Sequence, residues 1–152
     1  MKFFAVAILT LIIDKSILVL SAITPYERYM EPKLPILDDK FNLFCPLTLH
    51  LFPGFIRIKA DAAFQLNKNP NTRLPEYKHP RFPGQILYTY ALNDPVSIHL
   101  GIQAQNHMVI DSAGFFLDAF TRSQSNEVKV DKPCLFSQST SFGSYYDARF
   151  VF

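Results

Sequence analysis

The sequence predicts an α+β domain in which one helix packs on a twisted antiparallel β-sheet, and three observations predict it. Only one stretch, Phe55 to Asn67, carries apolar residues at helical spacing. After Pro75 the chain changes to short β-compatible runs separated by turn residues. Two cysteines, Cys45 and Cys134, lie 89 positions apart and bracket both features.

The first element is a leader. Met1 and Lys2 precede an apolar run from Phe3 to Ile13, the order of a secretory signal peptide, and Asp14 and Lys15 interrupt the run before Ser16 to Ala22 resume it. No uncharged stretch reaches the roughly 18 residues of a membrane span, so a cleaved signal peptide over 1–22 is expected, with a retained anchor as the alternative. The mature chain then has no membrane segment. Secretion makes a single Cys45–Cys134 disulfide the expected state, against two buried free thiols. Closing a loop of about 90 residues is worth roughly 4 to 5 kcal/mol in the chain-entropy model.

Charge excludes some functions. The whole chain has 15 basic and 13 acidic residues. Removing Lys2, Asp14 and Lys15 with the leader leaves 13 and 12, too even a balance for strong electrostatic attraction to nucleic acid or anionic membrane. About 130 residues suit one domain, expected to be monomeric. No Asn-x-Ser/Thr sequon is present.

Residues 23–44 hold Pro25, Pro32 and Pro35 among charges and read as an N-terminal arm before the fold. Phe41 to Phe52 accommodates one or two short strands and ends in the turn signal Pro53-Gly54. In the helix, Ile56, Ala60, Ala63 and Phe64 form an apolar stripe widened by Ile58, Ala62 and Leu66. Asn67 to Asn71 stops it, because Pro70 cannot continue a helix and asparagine tolerates the left-handed conformation of many helix ends. Strands are expected at Ile86–Leu92, Val96–Ile102, Met108–Ile110, Phe115–Phe120 and Val128–Val130, with breaks that include Gln105-Asn106 and Ser123 to Asn126. The extension at 135–152 holds Phe136, Phe142, Tyr145, Tyr146, Phe150 and Phe152. A final strand over Tyr146 to Phe152 would bury its rings in the core; the alternative is an exposed aromatic interface.

The helix stretch Ala60-Asp61-Ala62-Ala63-Phe64-Gln65-Leu66 ends 21 residues after Cys45, and Tyr77-Lys78-His79 begins 11 residues after Leu66. With the two cysteines, this order and spacing resembles the small secreted guanyl-specific fungal ribonucleases over residues 45–134. The resemblance implies a ribonuclease-like fold. It also implies a transphosphorylation site in which a carboxylate helped by the Tyr-x-His histidine removes the ribose 2′-hydroxyl proton, an arginine stabilises the phosphate and a second histidine protonates the leaving oxygen.

Mapped onto this chain, Tyr77 and His79 occupy the Tyr-x-His positions, and Tyr88 stands at the carboxylate. A phenol with an ordinary pKa near 10 is a poor base at neutral pH. His107 stands where the arginine opens a strand and lacks a permanent charge. The window Phe115 to Thr121, where the second histidine belongs, contains none. No catalytic residue is therefore assigned. Glu76, beside Tyr77, points away from His79 if the segment is extended. His50, His79, His99 and His107 show no metal-ligand spacing, and neither a metal site nor a cofactor is expected.

A signal peptide, few cysteines and altered catalytic positions are also similar to the secreted effector candidates of powdery mildew fungi, many of which look like ribonucleases without activity. The expectation is a non-catalytic, secreted virulence effector of a fungal pathogen, acting outside the cell or after delivery into the host. It would bind a host protein or RNA through Tyr77, His79, Tyr88, Tyr90 and His107, with Tyr77, Tyr88, Tyr90 and His107 as an RNA-binding surface that works by stacking. Two alternatives stay open: an active ribonuclease with a rearranged site, and an unrelated secreted β-rich interaction protein.

Overall fold

A computed structural model describes residues 32–47, 50–99, 101–125 and 128–148. The leader, the first part of the arm and the end of the tail lie outside the described residues. Strand β1 (Lys33–Pro35) comes first, then β2 (Leu43–Phe44) and β3 (His50–Leu51), before the long helix α1 (Pro53–Lys68). After it follow β4 (Glu76–Tyr77), β5 (Leu87–Ala91), β6 (Val96–His99), β7 (Ile102–Asp111), β8 (Phe116–Gln124) and β9 (Lys129–Pro133). The chain continues through β10 (Leu135–Phe136) and β11 (Phe142–Ser144) into a short helix α2 (Tyr145–Ala148). This is the expected α+β class, with two helices among the described residues rather than one.

The main sheet is antiparallel in the order β4-β5-β7-β8-β9, with β6 pairing the far end of β7. β10, β2 and β3 form a small second sheet, and β1 pairs β11. The described parts of the arm and tail therefore belong to the fold: Lys33 pairs Ser144 and Pro35 pairs Phe142, where a linker is expected. Tyr145–Ala148 is helical where the expected strand at 146–152 begins, and the rest of that strand lies outside the described residues.

Helix α1 starts two residues before the expected Phe55, because Pro53 sits in the first turn, where a missing N–H costs nothing. Ile56, Ala60 and Ala63 are its buried face. Its end uses asparagine differently from expectation: Asn69 is extended at φ −84°, while its side chain accepts the Asn71 N–H at 3.0 Å. Asn67 likewise accepts the Leu74 N–H at 3.3 Å.

Two departures in the sheet have local causes. β7 runs straight through the expected break at Gln105-Asn106 because Asn106, fully buried, has its backbone and its side-chain oxygen hydrogen-bonded inside the fold, although its Nδ2 has no partner among the described residues. Its Oδ1 accepts the Thr121 hydroxyl at 2.6 Å, and its N–H donates to Asn93 Oδ1 at 3.0 Å. Conversely, the expected run from Val96 to Ile102 is split by Gly101, whose φ of 77° turns β6 into β7.

The sheet has two covered faces. On one, α1 packs with Tyr88, Leu92, Met108, Ile110, Phe116 and Ala119. Leu34, Phe82, Leu87, Val109, Phe120 and Tyr145 cluster on the other. The Cys45–Cys134 disulfide is formed, with Cα atoms 4.4 Å apart. Phe44 pairs Leu135, so the two half-cystines extend that antiparallel ladder by one position, at the spacing of a non-hydrogen-bonded pair. The bridge ties the small sheet to the end of β9.

Candidate ligand-binding site

Cross-strand register puts one set of side chains on the sheet face away from α1. Ala91 pairs His107, His107 pairs Phe120 and Phe120 pairs Pro133, while Val109 pairs Asp118 and Arg122 pairs Asp131. Tyr77 arrives from β4, opposite Leu87. His79 and Arg81 hang over this face on the loop that joins β4 to β5.

A carboxylate organises that loop. Asp118 is 9% exposed; its Oδ2 accepts Arg81 Nη2 at 2.5 Å and lies 3.2 Å from His79 Nε2, while its Oδ1 accepts the Ala119 N–H at 2.8 Å. The Arg81 N–H donates to His79 Nδ1 at 3.1 Å. Nδ1 is thus an acceptor, which leaves the proton on Nε2, donated to Asp118. Both ring nitrogens are engaged within the protein.

Beside this cluster lies an aromatic stack. The Phe120 ring is parallel to Tyr77 (centroids 5.1 Å apart, 14°) and to His107 (5.3 Å, 13°), and the Arg122 guanidinium lies 5.0 Å from its centre. Phe120 itself is only 4% exposed. Arg122 is held bidentate by Asp131, with both N–H···O distances 2.7 Å, and this bond keeps the guanidinium more firmly protonated.

The two titratable rings feel opposite neighbours. Burial first, then the Asp131 carboxylate, raise the Tyr77 phenol; Arg122 opposes this and Asp118 adds to it. Burial first, then the Arg122 charge, lower the His107 imidazole, with Asp131 opposing. Among the charges, Tyr77 thus feels Asp131 more than Arg122, and His107 feels Arg122 more than Asp131.

Tyr77, His79, Asp118, Phe120, Asp131 and Pro133 wall a cleft of about 80 Å³. A larger depression of about 270 Å³ lies between α1 and the β7–β8 turn, among Leu37, Ala60, Phe64, Gly114 and Phe116. It holds no histidine and lies away from the Tyr-x-His residues, so the smaller cleft is the candidate site.

Of the five residues expected to bind, the structure gathers Tyr77, His79 and His107. Tyr88 and Tyr90 are a correction. Tyr88 pairs Ile110 and Tyr90 pairs Met108, which sends both rings to the α1 face; Tyr88 is 7% exposed and Tyr90 packs against the same core. A single stacking surface of four aromatic rings does not form. Sequence reasoning missed Asp118, Arg81, Phe120, Arg122 and Asp131. Asp118, Phe120 and Arg122 alternate along β8, a period-two signal that overlaps the window in which the resemblance implies a histidine.

Among the described residues, no group of three His, Cys, Asp or Glu is placed to hold a metal ion, and no helix is long and apolar enough to cross a membrane. Comparison with known proteins found no matching family model, no matching curated protein and no matching solved structure.

Proposed function

We propose that the chain is a secreted, non-catalytic ribonuclease-like effector that binds a host protein or RNA on the face carrying Tyr77, His79 and His107. The observation that carries this reading is the engagement of His79. A general acid or base needs a ring nitrogen within reach of the reacting proton. Here Nδ1 accepts the Arg81 N–H and Nε2 faces Asp118. The carboxylate is engaged in turn by Arg81, His79 and the Ala119 N–H. His107, the remaining histidine on this face, is biased toward its neutral form and stacked on Phe120. The order of elements supports the ribonuclease-like part: a helix after the first cysteine, the Tyr-x-His residues entering an antiparallel sheet, and the second cysteine at the end of β9.

Incubation of the purified protein with guanosine-containing RNA tests the reading. No cleavage above background is expected, and specific cleavage abolished by His79→Ala would overturn it. One observation favours a second reading, a ribonuclease with a rearranged centre: Asp118, His79 and Arg81 bring a carboxylate, an imidazole and a guanidinium to one point. That enzyme requires a bell-shaped pH dependence of cleavage, lost on the acid side in Asp118→Asn.

A further inference from the structure

The cleft beside Tyr77 has a chemical bias that its aromatic content hides. Asp118 and Asp131 stand in its wall, while Arg81 and Arg122, which bind them, lie outside the lining. Each carboxylate oxygen accepts about two hydrogen bonds. Asp118 Oδ1 accepts one, from Ala119, and the two oxygens of Asp131 accept one each, from Arg122. Three acceptor directions are left over.

The donors in the same wall are few. Tyr77 offers one hydroxyl, His79 directs its Nε2 proton to Asp118, and Val109, Ala119, Phe120 and Pro133 contribute apolar surface. A phosphate group has only acceptors to offer and would face two carboxylates at close range. An ammonium or guanidinium has only donors. The Tyr77 ring, stacked on Phe120, adds an aromatic surface that attracts a cation. The field agrees, since the two aspartates outweigh Arg122 in their action on the Tyr77 phenol.

We propose that the cleft between Asp118, Asp131 and Tyr77 receives a cationic side chain, arginine or lysine, projecting from a partner protein. This rests on the binding reading above and selects a protein over RNA. Residual exposure allows the approach, because the Asp131 side chain is 30% exposed and that of Asp118 is 12% exposed.

The test is an NMR titration of the intact mature protein with the capped tripeptide acetyl-Gly-Arg-Gly-amide, its lysine counterpart and its neutral citrulline counterpart. Saturable shifts of the Tyr77 and Phe120 ring resonances are expected with arginine or lysine, and binding at least tenfold weaker with citrulline. A lysine peptide as good as the arginine peptide identifies charge as sufficient; a weaker one identifies the planar guanidinium. Asp131→Asn should weaken the arginine peptide about tenfold, and if that variant misfolds, the citrulline comparison on the unaltered protein decides alone. Equal binding of citrulline and arginine, or no shift with any peptide, overturns the proposal. Shifts of the same rings by an oligouridylate, with none from the peptides, overturn it in favour of RNA and leave the non-catalytic binding reading standing. RNA cleavage dependent on His79 is a separate outcome that sinks that reading instead.

Discussion

His79 Nε2 lies 3.2 Å from Asp118 Oδ2, although 39 residues separate the two in the chain. The contact joins the β4–β5 loop to the middle of β8, and Arg81 closes it from the solvent side with its side chain half-exposed. Asp118 is thus the fixed point around which the loop is arranged. Its environment explains why the cluster holds without deep burial of a lone charge: each oxygen has a donor, and one donor is a guanidinium.

Truncating that carboxylate should be felt but survived. Asp118→Ala removes the acceptor of three donors, of which Arg81 returns to water while the Ala119 N–H and the His79 ring remain near the interior. A loss of about 1–3 kcal/mol is expected in urea unfolding at neutral pH, with an unchanged denaturant slope. A variant within about 0.3 kcal/mol of the parent would mean that Asp118 does not organise the loop.

The lowered His107 gives stability a sign on the acid side. Well above pH 6.5, both folded and unfolded chains carry a neutral imidazole, and the contribution is fully present. As pH falls below the ordinary value of 6.5, the unfolded chain takes up its proton before the folded one, so stability declines through the window between 6.5 and the lower folded value. The groups acting on this ring are Phe120 by stacking, Arg122 by repulsion and Asp131 by attraction. Melting temperatures between pH 5 and 8 should fall toward acid in the parent and fall less steeply in His107→Gln. Parallel curves for the two proteins would remove His107 as the cause.

How much of this was legible depends on the range of the interaction. The stripe Ile56, Ala60, Ala63 is local, and the helix stands where the spacing puts it. The strand runs are local too, apart from Asn106, whose place in β7 depends on Thr121 and Asn93. What escaped was pairing at a distance. Tyr88 and Tyr90 share a face by alternation, but only their pairing with Ile110 and Met108 reveals that it is the helix face. Similarly, nothing between Lys33 and Pro35 announces a partner more than a hundred residues later at Phe142 to Ser144. Asp118 and His79 each look ordinary in their own segments, so the site emerges only when β8 is laid beside the loop.

Two glycines with similar backbones should respond differently to the same substitution. Gly101 has φ 77° and open space within 4 Å of where an added Cβ would stand, whereas Gly114 has φ 87° and would place that carbon 2.9 Å from Phe64 Cβ. Gly101→Ala therefore carries only the left-handed backbone strain, about 1 kcal/mol. Gly114→Ala adds a collision with α1 and is expected to cost about 2–4 kcal/mol, because the helix must shift to relieve it. Chemical denaturation of both variants checks the contrast, and equal losses would show that the α1 contact yields freely.

The tail reaches the candidate site through Tyr145. Its ring is fully buried, its hydroxyl donates to Asp111 Oδ2 at 3.0 Å, and Asp111 Oδ1 accepts the Ala113 and Phe115 N–H groups at 2.9 Å each. The same ring meets Phe82 edge-on at 5.6 Å, and Phe82 meets His79 at 5.3 Å. Removing the hydroxyl alone, in Tyr145→Phe, should cost about 1–2 kcal/mol by depriving a buried carboxylate of one donor. Tyr145→Ala also opens a cavity beneath Phe82 and should cost about 3–5 kcal/mol. Beyond the global loss, it should speed hydrogen exchange at the Phe82 amide, which donates to the His79 carbonyl at 3.1 Å, and at the Arg81 amide, which holds the His79 ring. Faster exchange at these two amides than in an equally destabilised variant on the α1 face would show that the tail supports the His79 loop. Equal exchange would confine Tyr145 to the core.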